Sequence, residues 1–166
     1  MDTMKKLIPI IFLFLLQINI SSACSNFIIT KGASKDNSCM TSYACDSHDI
    51  YGELYFWPAQ DHPEGSQVRI VDWITGKYLG SIPQVSHTYR VVGNMNEHQV
   101  VVTESTWGGR EELTDSTGII DVGSLIYLTL QRAKSAREAI RTFHFLVSEY
   151  GYYSTGETFT IMDKNE

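Results

Sequence analysis

The sequence predicts an α+β protein in which helices cover a sheet. Segments rich in β-branched and aromatic residues follow one another from residue 26 to residue 104, with little helical pattern between them. Two helical segments come only afterwards, within residues 121–150, and a last strand-like segment spans residues 157–162. Strands first and an adjacent helical pair later are typical of α+β layers.

The composition indicates one packed domain after a removable N-terminus. Hydrophobic residues make up 43% of the 166 residues and charged residues 19%, which argues against disorder. The formal net charge is −6, and the chain has no basic stripe. Nucleic acid is therefore a poor partner, because phosphate binding needs clustered Lys and Arg.

Residues 1–23 have the pattern of a secretory signal peptide. Two lysines precede a continuous apolar run, residues 7–16 (LIPIIFLFLL), which is too short for a bilayer core that needs roughly 20 residues. Ser21 and Ala23 satisfy the small-x-small rule of signal peptidase. The sequence predicts that signal peptidase cleaves after Ala23, that the protein is periplasmic or extracellular, and that the mature chain has no stable membrane insertion.

This cleavage would make Cys24 the first residue of the mature chain. An N-terminal cysteine carries a thiol nucleophile and a free α-amine, which are the equipment of an N-terminal-nucleophile hydrolase. The ordinary pKa of the α-amine, roughly 7.7 to 8.0, is close to that of the thiol, roughly 8.5, so the amine can take the proton of the thiol at neutral pH. Signal removal would activate such an enzyme, because in the precursor the nitrogen is an amide.

Lipid attachment to Cys24 is the competing interpretation, and it would make the protein a membrane-tethered binding lipoprotein. Lipoprotein signals usually have Leu three residues before the cysteine, where this chain has Ser21. They also continue into a polar tether, whereas residues 27–30 (FIIT) already have strand character. These two departures favour the hydrolase.

A β-hairpin is predicted directly after the cleavage site. Residues 26–30 and 38–44 have strand character, and the polar residues 31–37 between them suit a turn. Such a hairpin returns the end of its second strand to Cys24. Residues around Cys45, Asp46, Ser47 and His48 are therefore predicted to lie beside the nucleophile, and Asp46 is the candidate to orient its α-amine.

Further strands are predicted before the helices. Residues 52–59 (GELYFWPA) are aromatic and expected to be buried, and residues 67–73 form a strand. Residues 88–93 and 99–104 are predicted to form a second hairpin, joined by the polar connection 94–98.

Capping residues define the two helices. Asp121 is the predicted N-cap of a helix through about Ala133, with Leu125 and Leu128 inward. A capping box at residues 135–138 opens the second helix, which Gly151 ends. Its apolar positions fall on one face: Ala139, Ile140, Phe143, Leu146, Val147 and Tyr150.

The other cysteines and the histidines predict no metal site and no cofactor. Cys39 and Cys45 are six residues apart on one predicted strand, too far for a disulfide, and are expected to be buried thiols. Cys45 with His48 and His62 lacks a second Cys pair or HExxH spacing. A papain-like arrangement, with His48 or His98 as the base, is a further alternative.

Five blocks in order resemble the cysteine dipeptidases of the dipeptidase A and secernin family. They are residues 24–30 (CSNFIIT), 41–48 (TSYACDSH), 51–54 (YGEL), 94–99 (NMNEHQ) and 104–110 (ESTWGGR). The resemblance runs from Cys24 to the end of the chain. It implies an N-terminal-nucleophile hydrolase fold, a four-layer αββα sandwich, of which residues 24–166 would be the N-terminal part. It also implies hydrolysis of dipeptides or similar small amides by Cys24.

The resemblance also suggests roles for particular residues. By analogy with related amidases, which include penicillin acylases and bile-salt hydrolases, Ser105 or Thr106 would supply an oxyanion donor. Those amidases act on non-peptide amides, so an acylase-like activity is an alternative to dipeptide hydrolysis. They carry an Arg where this chain has Tyr43, and their second oxyanion donor and supporting Arg would fall beyond residue 166. Glu104 and Asp46 are the candidate partners for the ammonium group of a dipeptide.

Overall fold

The computed structural model describes residues 24–47 and 52–166. These residues form both strands and helices, which is compatible with the α+β class. The strands, in chain order, are β1 (Ser25–Ile29), β2 (Met40–Ala44), β3 (Phe56–Trp57), β4 (Gln60–Asp61), β5 (Gln67–Val71), β6 (Tyr78–Pro83), β7 (His87–Thr88), β8 (Val91–Val92), β9 (Met95–Asn96), β10 (Val101–Gly108) and β11 (Gly156–Met162). The helices are α1 (Val122–Leu130) and α2 (Ala136–Tyr150), with a 3₁₀ turn at Glu111–Leu113.

The predicted N-terminal hairpin is confirmed. Strands β1 and β2 pair antiparallel, with Ser25 opposite Ala44 and Ile29 opposite Met40. Asn37 in the connection has a φ of 57°, a left-handed conformation that Asn tolerates better than most residues. The two ends of the hairpin therefore lie side by side, with Cys24 directly before β1 and Cys45 directly after β2.

The largest sheet of the described residues has five strands, in the order β11-β10-β9-β8-β3. Strand β10 is its longest member, and β11 pairs with it antiparallel from Val101 opposite Met162 to Gly108 opposite Gly156, with a bulge after Thr106. The first residues of β10, Val101 to Glu104, are buried. A strand buried at one end and exposed at the other brings Glu104 to the boundary of the core.

The predicted loop 94–98 contains strand β9, and the side chain of Asn96 explains why. Its amide nitrogen donates to the backbone carbonyls of Leu130 and Ala133, each at 2.7 Å. Its amide oxygen accepts from the backbone N–H groups of His98 and Val100, each at 3.0 Å. Asn96 thus ties the sheet to the end of α1, which the polar character of the segment did not reveal.

Both predicted helix starts are confirmed. The Asp121 carboxylate accepts from the Ser124 backbone N–H at 3.1 Å, and the Ser135 hydroxyl accepts from that of Glu138 at 3.3 Å. Gly151 ends α2 with a φ of 70°. Helix α1 ends at Leu130, earlier than predicted.

Two apolar clusters form the core. One contains Ile70, Ile82, Ile120, Leu125, Leu128 and Leu146, and the other contains Val91, Val100, Val102, Leu130, Ala133 and Ala139. Phe143 and Phe159 pack against both clusters. Leu125 and Leu128 therefore lie inward as predicted. On α2 the prediction was too broad, because Ile140 is 56% exposed on the flank of the helix.

Residues 52–59 are not the buried segment that their aromatic content predicted. Leu54 is 80% exposed and Phe56 is 59% exposed. Because side chains alternate along the short strand β3, only Trp57 of its two residues points inward. The ring centroids of Trp57 and Tyr127 are 4.5 Å apart. Within the described ranges, no helix is both long enough and apolar enough to cross a membrane.

Candidate active site

The N-terminal hairpin is held against β10 by hydrogen bonds at Cys24 and Asn26. The Asn26 amide donates to the backbone carbonyl of Glu104 at 2.6 Å, and the Ser105 hydroxyl donates to the backbone carbonyl of Cys24 at 3.1 Å. The Cys24 thiol donates to Glu104 Oε1 at 3.4 Å. These contacts fix both the backbone and the side chain of Cys24 over the middle of β10.

Opposing effects act on the Cys24 thiol. Burial raises its pKa, and the Glu104 carboxylate raises it further by repulsion of the thiolate and by accepting a hydrogen bond from the thiol. Backbone N–H groups of Thr106 and Asp46 lower the pKa by donating to the sulfur, but the net shift is upward. The thiol therefore needs a proton acceptor at the moment of attack.

Asp46 lies just beyond the end of the hairpin. It is two residues past Ala44, which is paired with Ser25, and its backbone N–H is among the groups that lower the pKa of the Cys24 thiol. Its role toward the α-amine remains a prediction. His48 lies outside the described residues, and His98 packs edge-on against the ring of Tyr89, with centroids 4.5 Å apart.

Glu104 is the most enclosed charged group of the site, at 6% exposure. Its Oε1 accepts from the Cys24 thiol and from the phenol of Tyr43, and its Oε2 lies 3.4 Å from the Thr106 hydroxyl oxygen. Burial strongly raises the pKa of Tyr43, and the hydrogen bond to Glu104 raises it further. Tyr43 is therefore a neutral donor that holds one oxygen of Glu104 in place.

Sequence reasoning missed this role of Tyr43. The related amidases have a cation at the equivalent position, and so Tyr43 stood only as a departure from their pattern. The usable signal was strand alternation, because Tyr43 is opposite Asn26 in the hairpin register and both contact Glu104.

A second carboxyl, Glu157, completes the site and was also missed. The Thr106 hydroxyl donates to Glu157 Oε1 at 2.9 Å, and the two residues are partners in the β10–β11 register. Burial and a hydrogen bond with Glu104 raise the pKa of Glu157 to about 8. At neutral pH the Glu157 carboxyl is therefore largely protonated.

An apolar cavity of about 230 Å³ adjoins the site at Glu104. Among the described residues, five aromatic side chains line it, Tyr43, Tyr55, Trp57, Trp73 and Tyr127, together with the aliphatic Val91, Val122 and Ile126. Such a chamber, with one buried carboxylate at its wall, can hold an apolar group while an attached cation reaches Glu104.

Cys45 is exposed rather than buried, contrary to the prediction, and all three cysteines are free thiols. The sulfur atoms of Cys24 and Cys45 and a carboxylate oxygen of Glu104 lie within 4.8 Å of one another. Among the described residues this is the group able to share a metal ion. His62, which the spacing paired with Cys45, instead contacts the Thr88 hydroxyl at 3.0 Å.

The comparison with family models connects this site to known proteins. The model of peptidase family C69 matches residues 56–166, which include Glu104, Glu157 and most of the cavity wall. A search of curated proteins finds no significant match. The matched range covers more than half of the chain and agrees with the resemblance to dipeptidase A and the secernins. The chain therefore belongs to peptidase family C69, and membership of this family makes it a peptidase.

Proposed function

We propose that this protein is an exported cysteine dipeptidase that hydrolyses dipeptides through Cys24 after removal of residues 1–23. One observation carries the proposal: the Cys24 thiol lies 3.4 Å from the buried Glu104 carboxylate, on a strand within the family match. The proposed architecture is the αββα sandwich of N-terminal-nucleophile hydrolases, with β10 and β11 in one of its sheets.

In the proposed reaction, the freed α-amine of Cys24 takes the thiol proton and the thiolate attacks the scissile carbonyl. The ammonium then protonates the leaving nitrogen, and water hydrolyses the resulting thioester. The Ser105 hydroxyl supports this geometry by holding the Cys24 carbonyl at 3.1 Å. Because Cys24 would be the terminal residue, this bond restrains the amine and the thiol together.

Backbone N–H groups supply the proposed oxyanion stabilisation. The backbone N–H groups of Thr106 and Asp46 lower the pKa of the Cys24 thiol by hydrogen bonding. When the carbonyl carbon of the substrate bonds to this sulfur, the carbonyl oxygen would lie within reach of the same N–H groups. One preorganised donor of this kind typically contributes about 10²- to 10³-fold in rate.

The substrate class follows from the cavity and the carboxylate. Glu104, with Asp46 nearby at the hairpin end, would bind the ammonium group of a dipeptide, and the aromatic cavity would accept an apolar side chain. An acylase acting on an uncharged acyl group would not use the Glu104 carboxylate as a partner for an ammonium group. The site thus favours dipeptides with a free N-terminus and a large apolar residue.

The test is a comparison of one dipeptide in two forms. The mature protein is expected to hydrolyse a dipeptide with an aromatic first residue and to leave its N-acetylated form intact, while Cys24→Ala is inactive and folded. Faster cleavage of the acetylated form would favour the acylase alternative. Intact mass is measured on the same material: an added diacylglyceryl group would indicate the lipoprotein.

A further inference from the structure

Cys45 faces the nucleophile from the opposite strand of the hairpin. Because Ser25 is paired with Ala44, the next residues along the antiparallel register are Cys24 and Cys45. Cys39, the remaining cysteine, precedes β2 at the other end of the hairpin. The hairpin thus brings two thiols together at the buried carboxylate of Glu104.

The geometry of these three groups suits a thiophilic divalent ion. Zinc in a tetrahedral site has Zn–S bonds of about 2.3 Å, which separates two sulfur ligands by roughly 3.8 Å. The ligand atoms of Cys24, Cys45 and Glu104 already lie within 4.8 Å of one another, so the closure needed is about 1 Å. Cys45 is exposed and follows the end of β2.

A fourth ligand and an outer support are also present in the mature chain. The α-amine of Cys24, once freed, lies on the same residue as the Cys24 thiol, and the two can bind one ion as a five-membered chelate. The Tyr43 phenol donates to the Glu104 oxygen and would orient the carboxylate ligand, as outer partners of metal ligands commonly do. Two thiolates, an amine and a carboxylate form a donor set that zinc prefers over magnesium or calcium.

We propose that Cys24, Cys45 and Glu104 form a site for Zn²⁺, and that an ion bound there blocks the peptidase. Binding replaces the thiol protons with the metal, so protons are released as the ion is taken up. The Cys24 thiolate is then bound to zinc and is not available for attack on a carbonyl. The blocking half of this proposal rests on the proposed peptidase mechanism, whereas the binding half needs only the three side chains, to which the freed α-amine would add a fourth ligand.

Binding is measured first, with ZnCl₂ alone as the probe. Calorimetric titration of the reduced mature protein is expected to show one high-affinity ion per chain, with proton release that depends on the buffer. Cys45→Ala should weaken this affinity by at least about tenfold, since loss of an outer partner alone costs 10- to 100-fold. Cys39→Ala is the matched control and should bind zinc as the parent protein does. Equal affinity in Cys45→Ala, or no high-affinity uptake by the parent, would overturn the site.

Inhibition is measured second. For each variant, the rate of dipeptide hydrolysis with ZnCl₂ is divided by the rate of the same variant with a chelator. The ratio is expected to be low for the parent and for Cys39→Ala, and to rise toward one for Cys45→Ala at the same zinc concentration. A Cys45→Ser variant, with thermal denaturation of each protein, separates lost binding from lost fold.

The two assays fail separately. Zinc uptake that requires Cys45, in a protein without peptidase activity, would refute the proposed function and leave the site standing. An active enzyme whose inhibition is the same with and without Cys45 would refute the zinc proposal alone.

Discussion

Glu157 gives the fold a pH dependence that one substitution should remove. Its pKa is raised from 4.5 to about 8 by burial and by the hydrogen bond with Glu104. In the unfolded chain the carboxyl ionises near 4.5, so between the two values the folded state holds more protons and the free energy of unfolding falls as the pH rises. In a fully buried group this difference in pKa would correspond to about 5 kcal/mol in the free energy of unfolding. Glu157 is only partly buried, and solvent screening reduces the expected loss to about 1–2 kcal/mol.

Urea denaturation from pH 5 to pH 9 measures this loss. Glu157→Gln keeps an oxygen that can accept from Thr106 and an N–H₂ group that can donate to Glu104, but it carries no proton to lose. The parent protein is therefore expected to lose about 1–2 kcal/mol relative to Glu157→Gln across this range. Glu149→Gln, at an exposed position on α2, is the control and should follow the parent. Parallel pH profiles for the parent and Glu157→Gln would refute the carboxyl pair.

Three other substitutions test separate parts of the account. Tyr43→Phe removes a hydrogen bond to Glu104. It should lower kcat/KM about tenfold, since one hydrogen bond to a charged group contributes at least about this much. An unchanged kcat/KM would contradict the positioning role of Tyr43. Val122→Phe narrows the cavity and should slow hydrolysis of bulky apolar dipeptides about tenfold or more while sparing dialanine; Val92→Phe, at an exposed position, should change neither rate. Asn96→Ala leaves backbone groups unpaired and should cost about 3 kcal/mol in urea denaturation; a loss under about 1 kcal/mol would mean that the network is dispensable.

The elements predicted correctly from the sequence carry their own local signals. The N-terminal hairpin has a polar turn between two strand-forming runs, and the helix starts have Asp121 and Ser135 in capping positions. Each of these signals acts within a few residues, so no knowledge of the remaining chain is needed. Strand β6 lacks such a signal, because Tyr78–Pro83 contains a glycine and a proline, and it forms only through its pairing with β5.

The candidate site was harder to predict because its members come from distant parts of the chain. Cys24, Glu104 and the Ser105–Thr106 segment were named from chemistry and resemblance. Glu157 was not, because its only signal is the register of β11 against β10. Cys45 was assigned to the interior from the general tendency of cysteines to be buried. Its position beside Cys24 follows from the hairpin pairing, which the sequence predicted, but the exposure of its side chain was not predicted.

The central claim is that Cys24 acts only as the first residue of the chain. The direct test replaces residues 1–23 with a carrier whose specific protease leaves Cys24 at the N-terminus, and measures dipeptide hydrolysis before and after release. A positioned general base typically contributes about 10²- to 10⁴-fold, so release is expected to raise the rate at least about 100-fold, and a matched protein that keeps one glycine before Cys24 should stay inactive. Equal hydrolysis by the uncleaved fusion, or full activity with the added glycine, would contradict the account.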